Sequence, residues 1–382
     1  MKKTSLTLVV FTLMNFVVTM TSLVFNGILD KVAITLNVSI ANSGLLNSMY
    51  AYGAAFGVPI TLILFRKIER TRMLKLMLFI TILTTFALVF AQKFEQLLIV
   101  RLAMGISANS YGVLAISKVI SISNKERQGR SMSFLIMGSS LSMVIGIPLA
   151  RILTTLFDWR LIFWILNIIM IISLIYFMIY LPYEKISTKL DLKKELKFLK
   201  EGKTLSIIIY TFIMFLGYSA LYTYVTPYLL LLFPSLEDMM GIILVIMGVA
   251  SFIGNWIGGQ AYDRIGFSKS MLIGAALQLV LTILIIVFQP LKWLSLICIT
   301  LWVMSSWFAG LQPNTGIAQV TENKSSFIIS INGSALQLGG AIGSSLAALV
   351  IPISGIQNLV YIAILSNLVI TLLQIISNLK NT

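Results

Sequence analysis

The sequence predicts an all-α integral membrane protein in which twelve transmembrane helices form two pseudo-symmetric six-helix bundles. Three observations lead there. Of 382 residues 58% are hydrophobic and 11% charged, with mean hydropathy +0.97, whereas soluble domains carry roughly 25% charged residues. Apolar runs long enough to cross a bilayer, which needs about 20 residues per helix, recur twelve times. The one long polar stretch, residues 182 to 203, falls midway along the chain.

The first run, near residues 6 to 28, follows Met1-Lys2-Lys3 as a signal peptide would, but has no small-x-small cleavage site, so it reads as an uncleaved first span. Five more runs lie near 42–64, 74–91, 96–119, 132–156 and 161–181. Beyond the polar stretch, six occupy about 204–230, 239–261, 270–288, 293–317, 327–350 and 357–377. The domain expectation is therefore an N-terminal bundle over 1–181, a linker over 182–203 and a C-terminal bundle over 204–382. Leucines at 190, 192, 196 and 199 alternate with charges, so the linker is either a solvated tether or a helix on the membrane surface.

Direction follows from charge. With the N-terminus in the cytoplasm, 22 Lys and Arg fall on the cytoplasmic side and five, Lys31, Lys93, Arg151, Arg160 and Lys292, on the other, with Arg101 inside a helix. The positive-inside rule then puts both termini in the cytoplasm of a multi-pass plasma membrane protein. The net charge of +15 is accounted for by these short loops rather than by a nucleic-acid surface. There is no histidine and one cysteine, Cys298, inside an apolar run, so neither a Cys/His metal site nor a disulfide framework is expected. No cofactor is expected either.

Polar residues inside spans mark a water-filled path or the bundle interior. Span one carries Asn15, Thr19, Ser22, Asn26 and Asp30, within an arc of about 80° at helical spacing. Span seven repeats the pattern with Thr211, Tyr218, Tyr222 and Thr226, beginning 196 residues later. Span four holds Arg101, Gly105, Asn109 and Gly112 on one face. Span five has Gly138, Ser142, Gly146 and Ala150 at i+4 spacing beside Pro148, and span eleven has Gly339, Gly343 and Ala347. Such small-residue ridges admit close helix approach, and the proline bends the axis.

The stretch Gly259-Gln260-Ala261-Tyr262-Asp263-Arg264-Ile265-Gly266 resembles the G-x-x-x-D-R-x-G signature of the major facilitator superfamily. Arg66 is its counterpart in the first half, where Phe65 stands in place of the acidic residue. Arg101-Leu102-Ala103-Met104-Gly105 is similar to that family's R-x-x-x-G element in span four. The span-five ridge, followed by Asp158-Trp159-Arg160, is similar to the motif of its exporters, with Ala150-Arg151 where the pattern ends in glycines. The branch resembled is the twelve-span group of arabinose-efflux and sugar-efflux permeases and drug:proton antiporters. The resemblance implies a monomeric, proton-coupled efflux transporter of a small molecule in the lipid bilayer. An importer of a sugar, nucleoside or organic anion is the alternative on the same fold. A membrane enzyme or sensor is disfavoured by the lack of clustered catalytic groups.

Alternating access about a central site lined by spans one, four, seven and ten makes Asn15, Ser22, Asn26, Arg101, Asn109, Tyr218, Tyr222, Trp302 and Gln312 the expected substrate-facing residues. Tyrosine and tryptophan suit ring-containing or polyol ligands. Relatives carry a proton-exchanging acid within span one, where Ser22 stands here, so the nearest candidate carriers are Asp30, expected to pair with Arg101, and Glu95 at the outer mouth of span four. Arg101 without such a partner would favour an anionic or zwitterionic ligand.

Overall fold

A computed structural model of the chain describes residues 2–65, 68–123, 128–183, 199, 201–321 and 326–379. The described residues form helices joined by short connections, with no strand among them, as apolar sequence demands where lipid offers the backbone no hydrogen-bonding partner. The helices are α1 (Lys2–Leu36), α2 (Leu45–Leu64), α3 (Arg70–Phe90), α4 (Phe94–Ile122), α5 (Gln128–Leu156) and α6 (Arg160–Tyr180). In the second half α7 runs Gly202–Tyr222 and resumes over Val225–Leu232 after a break at Thr223 and Tyr224. The helix Met240–Val287 bends at Gly266, with φ +77 that glycine alone adopts freely, into α8 (240–265) and α9 (267–287). Then come α10 (Lys292–Val320), α11 (Ser326–Ser354) and α12 (Leu359–Leu379). Ten stretches qualify as spans by length and composition; the bent one supplies two crossings, and α2 brings the total to twelve.

The chain forms two compact units, Met1–Ser39 with Met49–Lys189, and Ile40–Ser48 with Leu190–Thr382. Residues 40–48 thus join the second unit instead of the first bundle, where sequence order put them. They dock on α7 and α11: the Tyr224 hydroxyl donates to the Ala41 carbonyl at 2.8 Å, and Ser48 Oγ lies 2.7 Å from Ser344 Oγ. The surface-helix reading of the linker and the gating residue Arg66 lie outside the described residues.

Glycine decides which helices touch. A methyl group on Gly138 of α5 would stand 2.2 Å from the Thr12 carbonyl oxygen of α1, and one on Gly146 would meet Met20 Sδ. In the second unit Gly339 and Gly343 of α11 press on the Phe212 and Leu216 carbonyls of α7 in the same way. A second seam is duplicated too: Gly53 of α2 lies against the Leu102 carbonyl of α4, Gly105 of α4 against the Tyr50 carbonyl of α2, and Gly254 of α8 against the Met304 carbonyl of α10. With no hydrophobic drive between helices in lipid, backbone contact of this kind supplies much of the packing. Outward-facing Ile, Leu and Phe side chains, such as Ile172, Leu349 and Phe252, stay exposed because lipid solvates them.

Candidate functional site

In the first unit the polar face of α1 meets α4 and α5. Arg101 of α4 is fully buried. Its Nη1 donates to the Thr21 carbonyl at 2.5 Å and its Nη2 to the Ser22 carbonyl at 3.3 Å. The guanidinium carbon lies 4.8 Å from the Phe25 ring centre and 4.4 Å from that of Tyr50. Both rings shield the charge with their electron-rich faces. The Tyr50 hydroxyl faces the side chains of Thr21, Ser22 and Asn109, and Asn109 Nδ2 also donates to the Gly105 carbonyl one turn back. Arg101 therefore braces α4 against α1.

Asp30 is joined to Arg151 of α5, not to Arg101. Arg151 Nη1 reaches Asp30 Oδ1 at 2.5 Å, with the arginine 2% and the aspartate 14% exposed. The expected pairing fails on helix geometry, because the carbonyls that hold Arg101 lie eight or nine residues before Asp30, roughly 12 to 14 Å along the axis. The charge balance places Arg151 with the outer loops, yet it is buried inside α5, where its Nη1 also approaches the Gly27 carbonyl at 3.4 Å. The signal that marks it in the sequence is a lone charge inside an apolar run.

Asn15 spans the same α1–α5 seam, its Nδ2 donating to the Leu135 carbonyl at 2.8 Å and to Ser139 Oγ at 2.6 Å. Thr12 adds a bond to the Phe134 carbonyl at 3.0 Å. Beyond these ties α5 changes winding. Ser142–Gly146 is a π-helical turn, Pro148 follows it, and Ser142 Oγ donates to the Ser139 carbonyl. The predicted ridge of Gly138, Ser142 and Gly146 is thus the α1-facing side of a helix that carries two backbone irregularities. Asn26 is buried on α1 and Ser22 is half-buried.

In the second unit Tyr218, Tyr222, Trp302 and Trp307 come together with Phe215. The Tyr218 and Tyr222 rings stack at 4.8 Å, Tyr218 and Trp302 centres are 5.3 Å apart, and Phe215 meets Tyr218 edge-on at 5.9 Å. Trp307 Nε1 donates to the Tyr218 hydroxyl at 3.3 Å. Trp302 is fully buried, and its Nε1 has no acceptor among the described residues. Gln312, expected beside them, holds α8 instead: its Nε2 donates to the Gly258 carbonyl at 2.9 Å, and its Oε1 has no donor among the described residues. Thr211 donates to Asn332 Oδ1 at 2.7 Å, and Asn332 Nδ2 to Asn314 Oδ1 at 2.9 Å, a polar tie between α7, α11 and α10.

Of the gating motif, Asp263 and Arg264 are exposed at the end of α8 and Gly266 makes the turn. A methyl group on Gly259 would make only an ordinary contact with Leu311. Among the described residues no group of three or more His, Cys, Asp or Glu could hold a metal ion. Within each unit a polar or aromatic cluster lies among membrane-length helices, and one packing scheme serves both units, which is the build of a polytopic membrane transporter.

Comparison with known proteins narrows that class. The Major Facilitator Superfamily model matches residues 11–344, and the chain belongs to that family. It is a transporter rather than an enzyme. It is 26% identical over 340 residues to an MFS-type transporter of Bacillus subtilis, YbcL, covering 88% of this chain and 86% of that one. It is 24% identical over 345 residues to a "probable sugar efflux transporter" of Helicobacter pylori, covering 90% and 87%. Two solved structures share the fold at 14% identity: the nucleoside transporter NupG, with TM-score 0.75 and 97% and 99% coverage, and a D-xylose-proton symporter, with TM-score 0.74 and 95% and 96%.

Proposed function

We propose that the chain is a proton-coupled exporter of small neutral molecules of the sugar class. It works by alternating access as a monomer in the plasma membrane, with both termini in the cytoplasm. The observation that carries the substrate class is Trp302. Its buried Nε1 is a donor awaiting an acceptor, and it sits beside the stacked rings of Tyr218 and Tyr222 with no acid or base among the cluster's members. Aromatic faces with neutral hydrogen-bonding groups fit a hydroxylated ring and offer no counter-charge to an anion. The name of the Helicobacter relative points the same way. Within the second unit Tyr218, Tyr222 and Trp302 are the ligand-facing residues; Asn15, Arg101 and Gln312 brace helices. Asp30 is the proton carrier, since an intramembrane carboxylate is a functional group by default.

Inward transport of a sugar or nucleoside is the second reading, favoured by the departure of span five from the exporter pattern at Ala150 and Arg151. Everted membrane vesicles given a panel of radiolabelled sugars and an imposed proton gradient separate the two. Uptake into everted vesicles that collapses with the gradient and is weakened in Trp302→Phe is expected. Uptake by right-side-out cells instead establishes import, and transport confined to charged compounds overturns the substrate class.

A further inference from the structure

The Asp30–Arg151 pair has no counterpart in the second unit: across α7 and α11 the only charged residue is Lys203, at the very start of α7. It closes one end of a seam whose other end is closed differently. Towards the start of α5 the seam is fixed by backbone contact at Gly138 and by the hydrogen bonds of Asn15 and Thr12. Between that fixed part and Arg151 lie the π-helical turn and Pro148. Those are the places where a helix bends at least cost. The far part of α5 is thus a short lever, and the ion pair ties it to α1.

We propose that Arg151 is the residue through which Asp30 acts: the ionised pair clamps the far ends of α1 and α5, and protonation of Asp30 releases α5 to swing about its π-helical turn. The inference rests on the reading that the chain couples transport to protons. The proton comes from water at the far end, where Asp30 is six residues and Arg151 five residues from the ends of their helices. Once the carboxyl is neutral, Arg151 is a buried cation without its counter-charge, and the energetically open course is to carry its head towards water at the nearby helix end. That displacement moves α5.

Other charges on the elements around α1 have their own places. On α4, Glu95 is exposed in the first turn, Arg101 is held by the Thr21 and Ser22 carbonyls, and Lys118 donates to the Pro182 carbonyl at 2.8 Å. Arg130 is exposed at the opposite end of α5, and Arg160 of α6 reaches Asp158 and the Ala91 carbonyl. Lys31 follows Asp30 directly on α1, half-buried. α2 carries no charged residue.

The test needs no substrate. In the full-length Cys298→Ser protein in lipid nanodiscs, spin labels on Ile34→Cys and Leu156→Cys, exposed near the far ends of α1 and α5, report the seam by electron-electron resonance across a pH series. A longer distance that grows as pH falls is expected. Asp30→Asn and Arg151→Gln should show it at every pH, Arg151→Lys should restore the pH dependence, and the exchange Asp30→Arg/Arg151→Asp keeps the test alive should a single neutral variant fail to fold. A distance indifferent to pH, or an Arg151→Gln profile matching the parent, overturns the role of the pair while leaving proton coupling to be judged by the vesicle assay.

Discussion

Arg101 Nη1 donates to the Thr21 carbonyl at 2.5 Å, so a charged side chain buried within a membrane helix is held by the backbone of its neighbour. Its second donor and its two ring contacts need a planar fork, which lysine does not offer. Arg101→Lys should therefore lose a charge-assisted bond and lower the unfolding free energy by about 1.5–3 kcal/mol, seen as an earlier thermal transition in detergent. A lysine variant as stable as the parent would show that the bracing is not the residue's contribution.

The glycine seams give a graded prediction. Gly138→Ala and Gly339→Ala place a methyl carbon 2.2 Å from a carbonyl oxygen of the facing helix. Backbone cannot step aside as a flexible side chain would, so each should destabilise by about 1–3 kcal/mol. Gly112→Ala and Gly333→Ala, with nothing within 4 Å, should leave the thermal transition where it is or raise it, since alanine favours a helix over glycine. All four respond alike only if the seams are not close contacts.

These seams were legible in the sequence because i+4 spacing of small residues reports a contact face whatever helix lies opposite. The twelve spans were legible for an equally local reason, since a bilayer imposes one length and one composition on each crossing. Partner choice was not. Asp30 and Arg101 look complementary by charge, but rise along α1 separates them, and Arg151 was hidden among charges assigned to loops by counting. Gln312 and Asn15 sit on polar faces, as ligand-facing residues do, yet spend their amides on neighbouring backbone. Helical periodicity gives a face, and only packing tells whether that face meets a helix or a ligand.

Trp302→Phe keeps the ring against Tyr218 and removes the buried donor that lacks an acceptor. Removing the stranded donor relieves the fold of a penalty, which offsets the space left by the smaller ring. Sugar binding to the purified protein should weaken by about three- to tenfold, the value of one neutral hydrogen bond, with at most a small change in thermal stability. Loss of stability together with unchanged affinity would assign Trp302 to packing alone.

Asn167 of α6 is 1% exposed, and neither its Nδ2 nor its Oδ1 finds a partner among the described residues. An amide stranded in this way opposes folding, and an apolar side chain of similar volume removes the penalty. Asn167→Leu should raise stability by about 1 kcal/mol or more, and a fall in the transition temperature would reveal a partner or function for the amide.

Residues 40–48 offer the most direct check on how access changes. The Tyr224 hydroxyl holds Ala41, and the Gly44 backbone lies so close that a methyl carbon there would be 2.0 Å from the same oxygen. Ser48 and Ser344 bring their Oγ atoms to 2.7 Å on the same docking surface. If this segment must leave α7 and α11 during each cycle, tying it down should stop transport without unfolding anything. In a Cys298→Ser background, Ser48→Cys/Ser344→Cys should form a disulfide under mild oxidant, since the two side chains already meet. Vesicle transport should fall on oxidation and return on reduction, while each single cysteine variant is indifferent to both. A cross-linked protein that transports at the parental rate would mean that the segment stays docked throughout, and that access is gated elsewhere.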